Sequence, residues 1–105
     1  MDSPYLIIGI PRIILSTDKN GNLISSYYHN RITPDKTITL GSGKILNFTS
    51  VIIYQGSGRT GHYWCYFKCN EQWYHYNDIG GQLNKIDDVY KIDEVYTQGS
   101  LYFYT

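Results

Sequence analysis

Apolar residues recur in short runs along this 105-residue chain, and clusters of Gly, Asn, Asp and Ser separate them. Runs rich in Ile, Val, Tyr, Phe and Thr suit a pleated, half-buried surface, and the small polar residues between them supply turn conformations. The pattern predicts strands over residues 5–15, 23–28, 37–39, 45–55, 62–69, 72–78 and 101–104. Turns are expected at 18–21, Asp-Lys-Asn-Gly, and at 56–61, Gly-Ser-Gly-Arg-Thr-Gly. Only residues 85–97, where Ile86, Val89, Ile92 and Val95 stand at mixed spacing among acidic residues, permit a short helical turn or two. The expectation is a mainly β, antiparallel architecture in one domain over 1–105, without repeat, linker or low-complexity tract.

The stretch from Gly61 to Asp78 reads as two strands joined by a tight turn around Asn70 and Glu71. If Cys69 and Gln72 flank a two-residue turn, or Lys68 and Trp73 a four-residue one, the numbers of facing residues sum to 141. Trp64 then faces Asn77 and His62 faces Ile79, so His62 and Asn77 are diagonal neighbours on one face. An imidazole hydrogen-bonded to an amide oxygen is the base and orienter of a nucleophilic triad: the amide keeps one ring nitrogen protonated and the other accepts a proton. A three- or five-residue loop puts the two side chains on opposite faces. A histidine on a Tyr-rich strand is also more often a packing or surface residue than a catalytic one.

Charge and cysteine content narrow the classes. Nine Lys and Arg balance nine Asp and Glu, which removes the electrostatic footprint expected for nucleic acid or an anionic membrane. Nine of the tyrosines, Tyr27, Tyr28, Tyr54, Tyr66, Tyr74, Tyr90, Tyr96, Tyr102 and Tyr104, are accordingly read as strand-packing residues, not base-stacking platforms. The apolar start is interrupted at Pro11 and Arg12 and is too short to span a bilayer. Cys65 and Cys69 are the only cysteines, too few for a structural zinc site, so no metal or other cofactor is expected. Reduced thiols fit an intracellular setting, cytoplasmic or nuclear. Abundant Ile, Asn, Lys and Tyr with no Ala point to AT-rich coding, as in viruses and intracellular parasites. His29 and His75 read as surface residues.

The histidine stretch resembles the histidine box of ubiquitin-specific proteases. In that family Gly-His-Tyr opens a strand, a Trp follows, and an aromatic-Asp/Asn-Asp triplet closes the hairpin; here these are Gly61-His62-Tyr63, Trp73 and Tyr76-Asn77-Asp78. Upstream, Pro4-Tyr-Leu-Ile-Ile-Gly-Ile-Pro-Arg12 is similar to the family's Pro-x-x-Leu-hydrophobic-x-Leu-x-Arg strand. Ile45-Leu-Asn-Phe-Thr-Ser-Val-Ile-Ile-Tyr-Gln-Gly56 is similar to its Tyr-x-Leu-x-x-Val-Ile-x-His-x-Gly run, and Leu101-Tyr-Phe-Tyr104 to its closing strand. The resemblance implies the C-terminal, palm-like part of an α+β papain-like cysteine isopeptidase acting after the Gly-Gly tail of ubiquitin. It gives His62 the role of general base and then acid, Asn77 that of orienter and Asp78 a supporting polar contact. Residues 56–61 match the loop beside the ubiquitin tail, with Gly61 leaving room for the tail and Tyr63 walling its channel; a plain flexible turn is the alternative.

The chain also departs from that pattern. Nothing matches the cysteine box or the zinc-binding finger cysteines. Cys65 and Cys69 lie an odd number of residues from His62, which puts them on the other face of its strand. Three classes stay open: an excised or truncated piece of an active deubiquitinase, or one that works with a separate cysteine-bearing chain; a non-catalytic module that binds ubiquitin or a deubiquitinase; and a structural or interaction protein with residual resemblance. Met1 and the closing strand suggest a complete short reading frame, which favours the second for the isolated chain. Without a helical subdomain, the His62 and Trp64 face is expected to lie open and to mediate homodimer or partner contacts, more so than the Tyr74 face.

Overall fold

The computed structural model describes residues 4–56, 61–77 and 81–105. The strands are β1 (Leu6–Gly9), β2 (Ile13–Thr17), β3 (Leu23–Tyr27), β4 (Thr37–Thr39), β5 (Ile45–Gly56), β6 (Gly61–Cys69), β7 (Gln72–Asn77), β8 (Gln82–Ile86) and β9 (Gly99–Tyr104). Between β8 and β9 lie a single 3₁₀ turn, Val89–Lys91, and a five-residue helix, α1 (Asp93–Thr97). Among the described residues seven strands form one sheet in the order β1-β9-β5-β6-β7-β8, with β4 paired to β5; β2 and β3 make a separate hairpin. All pairings are antiparallel.

The expected run over 5–15 is two strands. Pro11 lacks the N–H a ladder needs, and Arg12 turns its side chain inward, so β1 pairs with β9 while β2 pairs with β3. Residues 85–97 contain the short helical turns expected there, but Lys85 and Ile86 belong to β8. That strand escaped the sequence reading because only one of its five residues, Ile86, is even partly buried. An exposed edge strand carries little period-2 signal.

The β6–β7 hairpin has the two-residue turn. Cys69 pairs with Gln72 and Cys65 with Tyr76, so facing numbers sum to 141 as the first alternative requires. Asn70 and Glu71 both adopt positive φ, +50° and +65°, the backbone of a type I′ turn. The expected facing of His62 and Ile79 lies outside the described residues, as do residues 57–60 of the second expected turn.

One face of the sheet carries the core. Val51, Ile53, Tyr66, Trp73, Tyr102 and Tyr104 are buried there with Leu46 and Phe48, and Val89 and Val95 from the segment after β8 close over them. Fully burying each such aliphatic side chain contributes roughly 1.5–3 kcal/mol, and the aromatic pairs around Phe48 add to it. The expectation of an open His62 face is therefore corrected. His62 is half-buried, and Trp64 packs partly buried against this core, because residues 89–97 cross that face. The open side is the reverse one, where Ile7, Tyr63, Tyr76 and Leu83 are exposed.

Candidate active site

His62 stands near the start of β6 and Asn77 ends β7. The tight turn sets their register, and alternation turns both side chains to the core side of the sheet. Nε2 of His62 lies 2.7 Å from Oδ1 of Asn77. An amide oxygen only accepts, so this contact requires a proton on Nε2 and leaves Nδ1 as the lone-pair nitrogen of the neutral ring. An imidazole held in that way can take a proton at Nδ1 and return it.

The ring is also held from the side. Trp64, two residues along the strand, stacks against His62 with centroids 5.6 Å apart and planes 28° apart. Trp64 Nε1 donates to Oε1 of Glu94 at 2.8 Å, and the Tyr66 hydroxyl donates to the same oxygen. Burial, followed by the Glu94 hydrogen bond and charge, pushes the Tyr66 hydroxyl far above its ordinary value, so it stays a donor. His75 lies on this face too, half-buried with its ring 4.9 Å from that of Tyr66, and not at the surface as its sequence context suggested. His29 is exposed beside Tyr27.

Of the other expected site residues, Tyr63 points to the opposite side and is 59% exposed, its ring tilted against Tyr54. Gly61 is required by an internal contact: a Cβ there would overlap the Tyr54 ring. Asp78 lies outside the described residues. Cys65 shares the Tyr63 side with Ile52 and Tyr76, and burial pushes its thiol above the ordinary value. Cys69 is exposed at the turn. Among the described residues no three His, Cys, Asp or Glu side chains form a metal-binding group, and no helix is long and apolar enough to cross a membrane.

Sequence reasoning missed two residues. Glu94 sits in the acidic stretch that signalled only a helical turn, and nothing in its spacing announced a reach to β6. Arg12 is 2% exposed, with its guanidinium donating to four backbone carbonyls.

No curated protein sequence matches the chain. In fold it is similar to the SAGA DUB module Ubp8/Sgf11/Sus1/Sgf73, with a TM-score of 0.70 and 19% identity over 96% of this chain and 23% of that one. The SAGA DUB module Ubp8(C146A)/Sgf11/Sus1/Sgf73 bound to monoubiquitin gives the same values. The yeast SAGA DUB module gives a TM-score of 0.69 at 19% identity, with 96% of this chain and 23% of that one covered. The chain thus spans less than a quarter of the solved chains it matches. The family model for ubiquitin carboxyl-terminal hydrolase matches residues 4–104, nearly the whole sequence, and the chain belongs to that family.

Proposed function

We propose that this chain is the histidine-bearing, palm-like part of a ubiquitin-specific thiol isopeptidase, contributing the general base His62 and its orienter Asn77. The observation that carries this reading is the 2.7 Å contact between Nε2 of His62 and Oδ1 of Asn77. In the reaction, a cysteine thiol gives its proton to Nδ1 of His62, and its sulfur bonds to the carbonyl carbon of the last glycine in the Gly-Gly tail of ubiquitin. The imidazolium then returns the proton to the departing amine as the C–N bond breaks. Water, deprotonated by the same ring, releases the acyl group and restores the thiol. Asn77 keeps the ring in the tautomer both steps need. In this reading Gly61 and Tyr63 border the path of the tail, and Asp78 keeps the supporting role that the resemblance implies.

The nucleophile in this reading comes from a polypeptide beyond these 105 residues. Cys65 and Cys69 are placed on the side of β6 away from His62, and an imidazole cannot deprotonate a thiol across the sheet. For the chain alone, the same observation favours binding ubiquitin, or a ubiquitinated protein, without turnover. A complementary partner is then a cysteine-bearing chain that completes the site, and a second copy of this chain is the competing one.

Titration of the isotope-labelled chain with ubiquitin tests the reading. Amide resonances of Gly61, His62, Tyr63 and Asn77 should move with intact ubiquitin and stay put with ubiquitin lacking its terminal Gly-Gly. Equal responses to the two ubiquitins, or none at these residues, would overturn it.

A further inference from the structure

Glu94 occupies the first turn of α1, in the segment that crosses the His62 face. Its Oε1 accepts from Trp64 Nε1 at 2.8 Å and from the Tyr66 hydroxyl. The indole N–H is the only polar atom of the Trp64 ring, so its acceptor decides which way the ring points. Strand side chains use more than one χ1 rotamer, and the bond to Glu94 selects the one that lays the indole along the imidazole. Tyr66, 5% exposed, anchors the same carboxylate oxygen.

The contacts that Asn77 and Trp64 make with His62 differ in what they fix. Asn77 holds the ring at Nε2, which sets the tautomer but permits rocking about that hydrogen bond. The indole face limits this motion and keeps water off one side of the ring. A π face also favours the imidazolium that forms when the base takes its proton.

We infer that Glu94 is a positioning residue for His62, acting through Trp64, whose ring it holds against the imidazole. The inference rests on the reading of His62 as the base. It extends that reading to an acidic residue 32 positions away in sequence, on a different element.

The test uses the 105-residue chain labelled with nitrogen-15 and reads the Trp64 indole N–H, the His62 ring protons and the His62 ring nitrogens. Glu94→Ala should shift the indole signal and remove the upfield displacement that the indole ring current gives the His62 protons. Glu94→Gln, whose amide oxygen still accepts, should retain both. The Nε2-protonated tautomer should persist in every Glu94 variant. A moved indole signal with unmoved His62 protons in Glu94→Ala overturns the inference. If Glu94→Ala does not fold, Glu94→Asp takes its place, since it keeps the charge and withdraws the oxygen by one methylene; the same pair of signals decides. A wild-type ring protonated on Nδ1 overturns the base reading instead, so the two failures are distinguishable.

Discussion

Nε of Arg12 donates to the carbonyl oxygen of Gly99 at 2.9 Å, joining positions 87 residues apart. The same guanidinium donates to the carbonyls of Tyr28 at 3.1 Å, Asn30 at 2.7 Å and Tyr96 at 3.0 Å. It therefore ties the break between β1 and β2, the chain after β3, the end of α1 and the start of β9 to one point. The Tyr96 carbonyl belongs to the last turn of α1, where helix carbonyls lack intrahelical donors. Arg12 thus fixes the short helix that carries Glu94.

Replacing Arg12 with Met should cost about 3 kcal/mol or more, because the carbonyls lose a charged donor and those left buried have no water to replace it. Arg12→Lys should recover only part of this, since an ammonium cannot fork to four acceptors. Denaturant unfolding of the three proteins measures the difference; equal midpoints would show that the carbonyls are satisfied in another way.

The type I′ turn holds Glu71 at φ +65°, a left-handed conformation costly for any residue with a Cβ. Its ion pair with Lys68 spans 3.2 Å at a largely exposed site and contributes little. Glu71→Gly should therefore stabilise the chain by about 1 kcal/mol. A lower unfolding midpoint in the variant would mean that the ion pair outweighs the backbone strain.

Alkaline pH should destabilise the protein through its buried tyrosines. Burial, first among the causes, raises the hydroxyl of Tyr66 well above its ordinary value of 10.0 and pushes Tyr104 up to about 12. Tyr102 is raised in the same way. For an acid whose neutral form is favoured on folding, the folded state holds its proton longer than the unfolded one. Stability is then complete below pH 10 and declines as pH rises from 10 towards 12. Unfolding by denaturant across this range, with tyrosinate absorbance as a second signal, checks the prediction; constant stability above pH 10 would contradict it.

The two thiols should differ in reactivity, and neither should act as the nucleophile. Cys69 is exposed, whereas Cys65 is half-buried with its thiol raised by burial above the ordinary 9.0. A small alkylating reagent should modify Cys69 first. Ubiquitin carrying a C-terminal electrophile should form no adduct with the chain alone, as read by mass spectrometry. An adduct lost in Cys65→Ser or Cys69→Ser would show that a thiol reaches the His62 side.

How much of this was legible in the sequence follows from where each signal resides. The β6–β7 hairpin was readable because turn length and period-2 alternation are local, and together they brought His62 and Asn77 to one face. Strand β8 was not, since Gln82-Leu83-Asn84-Lys85-Ile86 offers the core a single side chain. The covering of the His62 face was misjudged for a related reason. Val89 and Val95 are fully buried, yet no local pattern says which face of a distant sheet they close. Long-range placement of a short segment is decided by packing, and the Glu94 contact with Trp64 follows from that packing alone. Asn77 could be named from the turn, and Glu94 could not.

The central claim is that Asn77 holds His62 in the tautomer of a general base, and the most direct measurement is the nitrogen-15 spectrum of the His62 ring in wild type and in Asn77→Ala. The predicted wild-type spectrum shows the neutral ring protonated on Nε2, with Nδ1 carrying the lone pair. Asn77→Ala should populate both tautomers. A wild-type ring protonated on Nδ1, or identical spectra for the two proteins, would contradict the claim.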